Sequence, residues 1–238
     1  GMGTAAGSLG QFLVVPLGQA FIARFGWYEA LWLLGACLLL VLPLTWFLRI
    51  GPAGDAAAAT VTNPLPLRRV LAGAAAHRSY QLLVAGFFVC GFHVAFIAVH
   101  LPAYLGDLGF SPGLGAAALA LIGLFNVVGA YGAGVIAGRW SKRSLLSAIY
   151  LARAVVLFGF LLLPTSAAGI YVFAALMGLL WLSTVPPTSG LVAVMFGVRH
   201  MATLFGIVFF SHQLGAFAGV WLGGALFEAF GTYDPVWW

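Results

Sequence analysis

The chain has 238 residues, of which 63% are apolar and 6% charged, whereas soluble domains run at roughly 45–50% and about 25%. Too few polar side chains remain to cover a water-facing surface, which excludes a soluble enzyme, a disordered chain and a disulfide-stapled secreted domain. Ten Lys and Arg against five Asp and Glu give a net charge of +5, but the basic residues sit in short loops between apolar runs, so the excess reads as membrane orientation and not as a nucleic-acid surface.

A bilayer-crossing helix takes about 20 mostly apolar residues. Seven segments qualify, at 4–23, 30–48, 80–104, 113–137, 145–164, 168–194 and 201–227. The fold class is therefore an all-α polytopic membrane bundle, because lipid obliges each segment to satisfy its own backbone polar groups and no period-two alternation points to a barrel. The first span is rich in Gly and Pro, with Gly3, Gly7, Gly10, Pro16 and Gly18, and carries Gln11 and Gln19. Gly3 and Gly7 stand at i, i+4, which puts small residues on one face for helix packing. Cys37 in the second span and Cys90 in the third lie inside apolar runs and read as small core residues, neither a bridge nor a metal pair. Between those spans, Asp55 to Thr62 is an Ala-rich linker, and Pro64 to Ala74 predicts a short amphipathic helix with Leu67, Val70, Leu71 and Ala74 on one face. The chain thus divides into 1–48, a linker at 49–79, and 80–238.

In the third span His93 and His100 are seven apart and share a face. Imidazole titrates near physiological pH, which makes either a candidate carrier of a coupled proton. Two turns, about 10 Å, are too far for both to bind one metal directly. Asn126 in the fourth span needs a hydrogen-bond partner in lipid, and helix–helix bonding is the default. Arg153 in the fifth is the only charge deep in a span, at roughly 2.5–3.5 kcal/mol on insertion scales. It reads as a counter-ion for an anion, as part of a gating network, or as a structural arginine that snorkels to the cytoplasmic face or caps backbone carbonyls. In the sixth span Pro186-Pro187, flanked by Trp181, Ser183, Thr184, Thr188 and Ser189, predicts an unwound or kinked helix. The seventh carries His212 and Gln213, and Gly215, Gly219 and Gly223 at i, i+4; His212 shares that stripe and is expected to face another helix closely.

Arg49, Arg68, Arg69, Arg78, Arg139, Lys142, Arg143 and Arg199 fall on one side of the membrane and Arg24 on the other, so the linker side is expected to be cytoplasmic. Sliding the chain against itself by 205 positions aligns the first span with the last, with eleven identities over positions 8–33. The shared Phe-Gly-x-Tyr-acid-x-x-Trp ending runs from Phe25 to Trp32 and from Phe230 to Trp237. A parallel duplication with a six-helix period is a transporter architecture. It leads us to expect four more spans before Gly1 and one after Trp238.

The stretch Gly134-Val135-Ile136-Ala137-Gly138-Arg139-Trp140-Ser141-Lys142-Arg143 resembles the cytoplasmic loop signature Gly-x-Leu-Ala-Asp-Arg-x-Gly-Arg-Arg of the major facilitator superfamily, with Gly138 in place of the acid and Ser141 in place of a glycine. The Gly/Pro-rich first span resembles that family's fifth helix, and the linker sits where the family joins its two bundles. The runs around Phe92–Phe96, His100–Tyr104 and Ser211–Gly215 resemble bacterial monocarboxylate and oxalate/formate porters. The resemblance implies a secondary transporter in the bacterial inner membrane, moving a small solute, such as a monocarboxylate, by proton-coupled or exchange-coupled alternating access. The seven spans then correspond to the fifth to eleventh helices of twelve. The third and sixth line the central cavity, and the fifth, with Arg153, lies outside it. The partners implied are the bilayer, the solute with or without a proton, and the remaining helices of the same chain; no nucleic acid is expected.

No cofactor is expected, since no His-Glu-x-x-His, phosphate loop or dinucleotide fingerprint is present. An intramembrane protease is disfavoured because Ser189 lacks a glycine-flanked serine loop, and a retinal receptor because the only lysine, Lys142, is in a loop. A seven-helix receptor or sensor is the alternative if the chain is complete.

Overall fold

The computed structural model of the chain describes residues 2–39, 42–43 and 66–238. Its elements are all helices: α1 (Met2–Phe25), α2 (Trp27–Leu38), α3 (Leu67–Ala76), α4 (Arg78–Asp107), α5 (Pro112–Arg139), α6 (Lys142–Leu162), α7 (Ala167–Leu180), α8 (Val185–Phe196), α9 (Met201–Phe230) and the short α10 (Asp234–Trp237). Six helical stretches among the described residues are long and apolar enough to cross a membrane, with α7 and α8 together forming one of them. The second predicted span is described only as the 12 residues of α2; its remainder at 40–41 and 44–48, and the linker at 49–65, lie outside the described residues. The amphipathic segment begins at Leu67, after Pro66, and lays the buried Ala74 with Val70 and Leu71 against the core.

Local chemistry sets the helix ends. The hydroxyls of Ser111, Ser141 and Ser166 accept from the N–H of Leu114, Ser144 and Gly169, capping α5, α6 and α7. The two copies of the repeated ending stop alike: Gly26 (φ 90°) follows α1 and Gly231 (φ 69°) follows α9, both in the region open to glycine.

Two apolar cores lie near opposite ends of the bundle. Phe96, Ile97, Leu101, Ile122, Phe173 and Met177 form one among α4, α5 and α7. Tyr80, Leu83, Phe87, Val192, Leu204 and Val208 form the other among α4, α8 and α9. Leu82, Val128, Leu151, Phe210 and Trp221 are among many large apolar side chains that point outward, as a lipid-facing surface requires.

Backbone contact, not side-chain interdigitation, joins the tightest pairs. The helices α4 and α9 run parallel, and a Cβ added to Gly215 or Gly91 would strike the carbonyl of Phe88 or His212 respectively. Gly219 lies against Phe92 and Gly223 against the His100 ring. The pair α5 and α7 is locked likewise, with Gly129 against the Leu179 carbonyl and Gly178 against Ile122. Gly3, Gly7 and Gly10 are exposed instead, with no described atom within 4 Å of an added Cβ. Helix α1 meets α5 through a different face, carrying Ser8, Gln11 and Phe12: Gly123 approaches the Phe12 N–H, and the Gln11 side chain donates to the Leu119 carbonyl at 3.3 Å.

A methyl at Gly215 therefore forces a backbone shift. Gly215→Ala should lower stability by about 1–3 kcal/mol, read as a lower thermal midpoint in detergent. Gly132→Ala, where an added Cβ meets nothing within 4 Å, should leave it unchanged or raise it.

Candidate functional site

The sixth predicted span is broken between α7 and α8, and the break organises the polar groups around it. Pro186 and Pro187 supply no N–H to carbonyls four residues earlier, and their rings crowd those carbonyls. The ladder tightens in response. Trp181 N–H turns to the Gly178 carbonyl and Val185 N–H to the Leu182 carbonyl, one residue short of α-helical partners. The Trp181 carbonyl loses the acceptor role it would have toward Val185, and the Leu182 N–H loses its Gly178 partner. In lipid such groups need substitutes.

Substitutes arrive from two helices. Arg153 of α6, 1% exposed, donates Nε–H (3.2 Å) and Nη2–H (2.6 Å) to the Leu180 carbonyl, and Nη2–H to the Trp181 carbonyl. Asn126 of α5, fully buried, accepts the Leu182 N–H on Oδ1 at 2.9 Å. Its Nδ2 donates to Ser8 Oγ of α1 at 2.7 Å. From α4, Cys90 closes the layer: its Sγ accepts from Arg153 Nη1 at 3.2 Å and lies 3.4 Å from Thr184 Oγ1. Among the described residues Arg153 has no carboxylate within ion-pair distance. His93 lies near enough to Arg153 for electrostatic interaction, and its Nδ1 and the Thr188 Oγ1 are buried without partners among the described residues.

The Major Facilitator Superfamily profile matches residues 1–233. The chain belongs to the Major Facilitator Superfamily. It is an integral multi-pass membrane protein. It is also 30% identical over 232 residues, 94% of its length, to an uncharacterized MFS-type transporter, YcxA, of Bacillus subtilis (strain 168), and it spans 56% of that relative.

Within this Major Facilitator Superfamily chain the other singled-out residues lie apart from the break. His100 is locked at one end of α4. Its Nε2 faces the Val220 carbonyl at 3.0 Å and is therefore the donor, which leaves Nδ1 to accept the Tyr233 O–H at 3.3 Å. Burial, with a smaller contribution from Asp107, raises the Tyr233 hydroxyl above its ordinary value and keeps it a donor. His212 is buried against Phe87 and Phe209, and its Nδ1 meets Gln213 Oε1 at 3.2 Å. The loop residues Gly138, Arg139 and Arg143 are exposed and Gly134 half-buried, while the Lys142 stem packs on Gly190 of α8. Ser141, standing where the family signature has a glycine, caps α6.

Two participants were not singled out from the sequence. Cys90 is a hydrogen-bonding hub, more than the core filler expected, and Cys37 is exposed and no core residue. Ser8 gave one usable signal: it shares a helical face with Gln11 and Phe12 at i, i+3 and i+4.

Arg153→Met should destabilise the chain by about 1–3 kcal/mol for each backbone carbonyl left unserved, seen as a lower unfolding midpoint in detergent. Arg153→Lys should recover only part, since an ammonium lacks the fork that spans two carbonyls. A variant with Met that melts with the parent would show the break to be held by other means.

Proposed function

We propose that the chain is the major part of a secondary active transporter that moves a small organic anion, such as a monocarboxylate, by alternating access. The observation that carries the substrate class is Arg153, buried in mid-membrane without a carboxylate among the described residues. Its donors serve the broken span, so it acts on a solute through its field and not by direct contact. At about 10 Å and an effective dielectric of about 20, a unit charge is worth roughly 1.7 kcal/mol, more than tenfold in binding. The unpartnered His93 Nδ1 and Thr188 Oγ1 flank the break and are groups that a polar solute would satisfy.

Residues 1–48 belong to one moving bundle, 49–79 is the cytoplasmic connector and 80–238 belongs to the other, in a bacterial inner membrane. Coupling is to a proton or to exchange. His100 has both ring nitrogens committed, which leaves His93 as the imidazole for a coupled proton.

The test is uptake by the full-length protein in proteoliposomes. Carboxylates should enter and cations should not. Arg153→Gln should lower kcat/KM for carboxylates by roughly tenfold or more, and Arg153→Lys, which keeps the charge, should retain the preference for anions. Unchanged carboxylate kcat/KM in Arg153→Gln would overturn the anion reading. In His93→Gln the pH dependence of uptake should flatten; a profile identical to the parent's removes that imidazole from coupling.

A further inference from the structure

The Asn126 side chain hydrogen-bonds to both the break and α1. Its Oδ1 holds the Leu182 N–H released between α7 and α8, and its Nδ2 holds Ser8 Oγ, itself 2% exposed. The carboxamide thus passes a hydrogen-bond chain straight through the packing layer of α5. Glycines bring the backbones close on both faces: Gly123, one turn before Asn126, meets α1 at the Ser8 carbonyl and the Phe12 N–H, and Gly129, one turn after it, meets α7. With the backbones this close, a carboxamide reaches both neighbours.

We propose that Asn126 couples the seating of α1 to the geometry of the broken span. When Ser8 departs, the Asn126 amide is left with an orphaned N–H in an apolar layer. The carboxamide reorients to satisfy it, and Oδ1 leaves the Leu182 N–H. The turn at Trp181–Thr184 then loses one of its external clamps, and Arg153 and Cys90 remain. Cys90, fully buried and 3.4 Å from Thr184 Oγ1, sits where that loosening is felt first. The assignment rests on the reading that α1 belongs to the bundle that moves against α5. Asn126 is accordingly a positioning residue that acts through the break, and not a solute ligand.

The thiols give a readout that does not depend on transport. With the exposed Cys37 removed by Cys37→Ser, the rate of alkylation of Cys90 by N-ethylmaleimide, measured in the full chain in membrane vesicles, reports opening at the break. Ser8→Ala removes one hydroxyl and leaves the fold intact. It should speed alkylation roughly tenfold, the ratio expected when one buried hydrogen bond no longer opposes local opening. Asn126→Ala should speed it at least as much, the double variant should match Asn126→Ala alone, and Ser8→Thr should restore the parent rate. Gly223→Ala, which disturbs the His100 contact far from the break, should not change it. A parent rate in Ser8→Ala, or additive effects of the two substitutions, would overturn the coupling. Because the readout is chemical, that outcome leaves the transport reading standing, and a chain that transports no carboxylate can still show the coupling.

Discussion

Four residues of backbone, Trp181 to Thr184, lie in the middle of a span without water to turn to, and much of the arrangement around them follows from that. A helix interior hides its polar groups by bonding them to one another. Two adjacent prolines withdraw that option over one turn. Each carbonyl or N–H set free in lipid costs as much as a lost hydrogen bond with nothing to replace it. Arginine answers the need because its planar fork reaches two successive carbonyls from one side and still has a donor for Cys90. A neutral amide from the opposite side takes the N–H. The charge that arrives with the guanidinium is a consequence of this solution, and it sets the field that any solute in the bundle meets.

The bundle around the break is built from two kinds of contact. In α4–α9 and α5–α7, glycines bring backbone against backbone, and the contact does not depend on any rotamer. Across the break, the joints are tips of long or polar side chains: Arg153, Asn126 and Cys90. These depend on distance and angle and fail within about an ångström of displacement. Two internally stiff pairs therefore meet along a seam of directional bonds, which suits parts that exchange between a few discrete positions better than parts that deform continuously.

The helices were legible because lipid imposes the simplest code there is: apolar runs of about 20 residues, with charge at their ends and Arg153 the exception. The break was legible in kind from Pro186-Pro187. It lies in the turn before the prolines, whose rings crowd the Leu182 and Ser183 carbonyls. Carbonyl capping was one of the readings open for Arg153, but its particular acceptors were not legible, because they come from residues 27, 28 and 63 positions away and one of them exists only once the helix has opened. Cys90 reads as a filler in an apolar run, since a thiol shows its hydrogen-bonding side only beside a strong donor. The glycines teach the same lesson. Gly3 and Gly7 have the spacing of Gly215 and Gly219, yet the first pair lies open among the described residues and the second is pressed against α4. Spacing reports which face is small; what covers that face is decided by parts of the fold the local sequence does not encode.

The division between rigid pairs and a directional seam also bears on how the bilayer acts on the molecule. Lateral pressure from the acyl chains is felt by every lipid-facing helix. Backbone contacts already at their steric limit transmit that pressure and cannot yield to it. Compression therefore concentrates where hydrogen bonds, not hard cores, set the spacing: at the turn between α7 and α8. A membrane of different thickness or acyl order would leave the α4–α9 pair as it is and alter the angle at which α7 meets α8.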